Sequence, residues 1–114
     1  ALKARDYQKS LDLFRLCVNM KPQERVFAES YVKTMFLKWQ NTGLGTAAEI
    51  KASIFDATRK FPKSDTLYVT LGWVLKQEGA NNKAIEAFKR ALQLNPKNMD
   101  AQRELRLYQM RGQG

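Results

Sequence analysis

The sequence predicts an all-α fold of about six helices paired antiparallel, and three observations carry that prediction. Pro22, Pro62 and Pro96 each close a helical-looking segment. Residues at fixed distances before these prolines come into register. No segment alternates apolar and polar residues between turn signals as a half-buried strand would.

The register describes one helix seen from its buried side. Eight residues before the prolines stand Phe14, Ile54 and Phe88, and five before stand Cys17, Ala57 and Ala91. Twelve before stand Ser10, Ile50 and Ala84, where Ile50 departs from an otherwise small set. Ala84, Phe88 and Ala91 are four and then three residues apart, one stripe of a 3.6-residue helix. Small residues let a neighbouring helix approach and the central ring fills the space between. Seventeen residues before the prolines stand Arg5, Gly45 and Gly79, where glycine suits a turn.

Taken in order, residues 1–114 read as one domain of four parts. Residues 1–24 are a truncated repeat, mainly its second helix over 7–20, with Ala1 to Arg5 as the last turn of a first helix. Residues 25–64 are a divergent long repeat, because Pro22 and Pro62 lie 40 residues apart and Pro62 and Pro96 only 34. Gly45 stays in register with Pro62, so the extra residues belong to the first helix of that unit, about 25–40, or to the loop Asn41 to Gly45. Thr46 with Glu49 three later forms a capping box that opens the next helix. Residues 65–98 are the regular repeat, and 99–111 a closing helix with a polar outer side. Gln113-Gly114 reads as a frayed tail.

Within 65–98, Tyr68, Leu71-Gly72 and Leu75 precede Ala84, Phe88 and Pro96. This resembles the tetratricopeptide repeat, with Leu75 where that family has Tyr. The resemblance implies a right-handed α–α superhelix, a piece of a longer polypeptide, and a concave groove lined by the first helix of each repeat that receives a partner peptide or helix. Carried over by phase, that groove takes Thr66, Val69, Thr70, Trp73, Lys76 and Gln77 from the regular repeat. From the long repeat it takes Glu29, Lys33 and Phe36, with Val26, Ser30 and Leu37 beside them, and from the closing helix Arg103 and Leu107. Trp73 lies off the packing stripe, where it either anchors a partner or packs against another helix of the same chain. Trp39, near a helix end, reads as core. One subgroup of the family grips the carboxylate of acidic chaperone tails with Lys, Asn and Arg. The matching positions here hold Glu29, Lys33, Thr70 and Trp73, and that clamp is missing.

Composition narrows the function. Hydrophobic residues at 44% and charged residues at 27% fit a globular chain and argue against disorder. No apolar run approaches the ~20 residues that cross a bilayer, and no leader pattern opens the chain. One cysteine suits a reducing, cytoplasmic setting, with Cys17 as a buried filler beside Phe14. The chain has no histidine, and with it goes the commonest general base and metal ligand. Asp6 with Asp12, and Asp100 with Glu104, read as surface ion pairs beside Lys and Arg. No catalytic residue, metal or cofactor is expected.

Twenty Lys and Arg against eleven Asp and Glu give +9. Scattered along helix faces, these cations serve solubility; gathered on one face they would attract acidic peptides or nucleic acid. The sequence therefore predicts a non-catalytic protein-interaction scaffold or adaptor whose partner is a protein or peptide, with acidic partners favoured by the charge. The alternatives are a basic repeat that binds nucleic acid, and self-association through the truncated N-terminal edge.

Overall fold

A computed structural model describes residues 3–111. Among them are six α-helices and no strand: α1 Ala4–Met20, α2 Arg25–Thr42, α3 Ala47–Lys60, α4 Asp65–Gln77, α5 Asn81–Leu94 and α6 Met99–Met110. Helix α1 opens at Ala4, so Ala4 and Arg5 join its first turn and not a preceding helix. Ala1, Leu2 and the Gln113-Gly114 tail lie outside the described residues. Where the sequence predicts one domain over 1–114, residue contacts gather into two compact units that divide between Phe61 and Pro62.

The prolines act as the register implies. The residue before each donates its N–H to the small residue five positions before the proline: Lys21 to Cys17, Phe61 to Ala57 and Asn95 to Ala91, at 2.8–2.9 Å. The ring then ends the helix, and α2, α4 and α6 each begin three residues beyond their proline. Ser64 and Asn98 cap two of these starts, accepting from the N–H groups of Leu67 and Ala101. Glu24, at the third, gives no side-chain cap.

In the first unit α2 packs on α1 and on α3. Tyr7, Leu11, Val32, Phe36, Ile50 and Ile54 form its buried apolar set. Helix α2 has 18 residues against 13 in α4. Four residues connect α2 to α3, and three connect α4 to α5. Five of the six extra residues therefore lengthen the helix and one lengthens the turn. Thr46 opens α3 as expected: its hydroxyl accepts the Glu49 N–H at 3.1 Å and donates to the Glu49 carboxylate at 3.0 Å. Phe14 and Cys17 are only half-buried, so Cys17 is not the enclosed filler its stripe suggested. Among the described helices α1 packs chiefly on α2, which leaves part of its circumference open.

In the second unit α5 packs on both α4 and α6. Ala84, Phe88 and Ala91 are fully buried, with Ala87 beside them. Gly79 turns the chain between α4 and α5 at φ +83°, a conformation that disfavours any side chain. Asp65, the first residue of α4, accepts from the Asn95 side chain at 2.9 Å and the Asn98 side chain at 2.8 Å. The turn before α6 is thereby tied to the start of α4.

Candidate partner-binding face

Helix α4 is buried almost all round: Leu67, Val69, Thr70, Leu71, Gly72, Val74 and Leu75 are enclosed. Of the six groove residues expected on it, Thr66, Trp73 and Lys76 are half-buried and Gln77 is exposed. Val69 and Thr70 are enclosed and have no surface to offer a partner. Burial of Thr70 costs little because its hydroxyl donates to the Thr66 carbonyl at 3.1 Å within the same helix. Phe36 on α2 is likewise buried, edge-to-face against Trp39 with ring centroids 6.3 Å apart. These three positions leave the binding set. Glu29 is half-buried and paired with Arg25 at 3.3 Å, while Lys33 is exposed.

One ion pair joins α4 to α6: Lys76 Nζ lies 2.8 Å from Glu104 Oε1. Glu104 is buried, contrary to the surface role expected of it, and its partner sits on another helix. Asp100 does make the expected short-range pair, with Arg103 at 3.1 Å. Asp6 instead accepts the Lys3 backbone N–H, and Asp12 accepts from the Gln8 side chain. Trp73 stands one turn from Lys76 on α4, and Leu107 one turn from Glu104 on α6.

The outer side of α6 is less polar than expected. Met99 and Met110 are more than three-quarters exposed and Leu107 is 37% exposed. Arg103 and Arg106 lie between them, also exposed. The two methionines escape notice in the sequence because a twelve-residue helix with apolar residues at 99, 105, 107, 108 and 110 does not say which it buries. The structure buries Ala101, Glu104 and Tyr108. Tyr108 donates to the Asn81 side chain at 3.0 Å, and burial pushes its phenol above the ordinary range.

Among the described residues no three His, Cys, Asp or Glu side chains gather as metal ligands. No helix among them is long and apolar enough to cross a membrane. At their surface α4 and α6 keep part of one indole, one leucine, two methionines and several cations.

Comparison with known families decides what carries this face. Residues 66–98 match the model of the tetratricopeptide repeat. The chain carries a tetratricopeptide repeat. That repeat supplies α4 and α5, together with the turn that ends at Pro96 and leads into α6. The chain is also similar to UDP-N-acetylglucosamine–peptide N-acetylglucosaminyltransferase of Giardia intestinalis, at 33% identity over 75 residues, covering 66% of this chain. It spans 5% of that relative's length, so the likeness concerns a small part of that protein.

Proposed function

We propose that this chain is a non-catalytic scaffold that docks a partner peptide or helix on the α4–α6 face. What supports this is the Lys76–Glu104 pair that joins α4 to α6, with Trp73 one helical turn from Lys76, Leu107 one turn from Glu104, and Leu107, Met110 and Arg103 exposed on α6. Tetratricopeptide repeats as a class support protein interaction and not catalysis, and a chain without histidine adds to that reading. On α4 and α6, Thr66, Trp73, Gln77 and Arg103 are the residues of the expected set that keep surface for a partner. Lys76 acts by holding Glu104, not by meeting the partner. Exposed Arg103 and Arg106 favour acidic groups on the bound segment. By the proline register, residues 1–24 and 25–64 are further members of the same repeat series and 99–111 its closing helix. A free Cys17 fits a reducing, cytoplasmic setting.

The test is quantitative affinity capture with the whole chain as bait, comparing wild type, Trp73→Ala and Leu107→Ser, with a thermal melt of each. Both substitutions should lower captured partner about tenfold, as hot-spot truncation does. Leu107→Ser should leave the melt nearly unchanged. Undiminished capture by both variants would remove the face from consideration. Loss in Trp73→Ala alone, together with a collapsed melt, would assign Trp73 to internal packing.

A further inference from the structure

The two units differ at one place where the repeat should make them alike. Six residues beyond Pro62 stands Tyr68, and six residues before Pro96 stands Arg90, whose guanidinium lies 5.8 Å from the centre of the Tyr68 ring. At the equivalent positions the first unit has Ala28, six beyond Pro22, and Asp56, six before Pro62. Both the ring and the cation over it are absent, and a carboxylate stands where the cation would be.

A cavity of about 270 Å³ opens at that place. Val18, Ala28, Val32 and Ala57 give it an apolar interior, and Glu24, Asp56 and Lys60 reach its edge. Ala28, Ser53 and Ala57 are all small, which is why neighbouring side chains do not close the space. Two carboxylates, Glu24 and Asp56, stand at the edge against one ammonium, Lys60. Lys60 is turned over the Phe61 ring at 5.8 Å, and Glu24 is exposed. Asp56 is paired with Arg59 on the same helix, but both side chains are about 70% exposed. Such a surface pair contributes little and exchanges readily for a better-placed cation.

We propose that this cavity is a second docking site, taking one aromatic side chain of a partner protein with a Lys or Arg next to it. The partner's ring restores what Tyr68 supplies in the second unit. Its cation meets Asp56 and Glu24 in place of the stacked Arg90. The preference for a cation is local, set by the two carboxylates Asp56 and Glu24 at the edge against the single ammonium of Lys60. The site lies wholly in the first unit and is independent of the α4–α6 face.

The probe is N-acetyl-tyrosyl-arginine amide added to the isotopically labelled whole chain, followed by backbone amide shifts. N-acetyl-alanyl-arginine amide and N-acetyl-tyrosyl-glutamate amide serve as controls. Shifts should centre on Ala28, Ser53 and Ala57, leave the Trp73 indole unmoved, and require about tenfold more of either control. Ala28→Tyr should fill the cavity from within and abolish the shifts. If that variant does not fold, Asp56→Asn carries the decision and should weaken the tyrosyl-arginine probe while leaving the tyrosyl-glutamate control unweakened. Equal binding of the alanyl control, shifts elsewhere, or indifference to Asp56→Asn would overturn the proposal. So would shifts at the same amides that depend on protein concentration without any probe, since they would assign the cavity to a second copy of the chain.

Discussion

A Cβ atom placed on Gly72 would lie 2.5 Å from Cε1 of Phe88, closer than side chains tolerate. Phe88 is fully buried and cannot withdraw. In the first unit the equivalent pair is Val32 with Ile54, a larger residue on one helix and a smaller one on the other. Volume is conserved across the seam while its division changes.

Gly72→Ala should therefore destabilise the chain although alanine favours helix by about 1 kcal/mol. Overpacking of this kind costs about 1–3 kcal/mol and outweighs the gain. Combining Gly72→Val with Phe88→Ile should recover part of the loss, so the two changes would be non-additive in a denaturant titration. Additive losses would mean the two positions do not share one space.

Lys76→Ala should cost more than Glu104→Ala. Removing the lysine strands a carboxylate whose side chain is 9% exposed, whereas a lysine 33% exposed can turn its ammonium to water. Stranding one partner of a buried pair costs about 3 kcal/mol. Urea melts of the two variants would give the order directly.

Asp65 gives the fold a specific acid sensitivity. Burial alone would raise its carboxyl, but hydrogen bonds from Asn98 and Asn95, with backbone N–H groups, outweigh burial and hold it below the ordinary 3.8. A depressed carboxyl stabilises the folded state above the unfolded value, and that contribution disappears as pH falls through the folded one. Asp65→Asn should be less stable than wild type at pH 7, and the gap should close on acidification below about pH 4. A gap that persists at pH 2 would show that the asparagine contacts do not depend on charge.

The prolines made the chain's architecture readable before any coordinates. Each stops one helix and sets the start of the next, so spacing alone located α3 and α5 and confined the extra residues to α2 or the turn after it. The binding face was only partly readable. A phase argument divides a helix into a packed side and a free side, but α4 is enclosed on nearly every side, and Val69 and Thr70 vanish into it. Phe36 is lost for a similar reason, because an aromatic on a long helix finds a partner in Trp39 within the chain. Glu104 looked like a surface acid because its counterion lies 28 residues away in sequence. The contrast of Ala28 with Tyr68 was present in the aligned repeats, but an alanine gives no positive signal. Its meaning appears only as a cavity.

The lengthened α2 has a bearing on how such chains can change size. Its additional residues all accumulate on the side of the hairpin away from Pro22 and Pro62, where Asn41 to Gly45 meet solvent. The proline elbows keep their spacing to the helices they launch, whatever happens at the opposite tip. Growth is quarantined there, and a grafted tag or loop between Thr42 and Thr46 would leave every elbow in place.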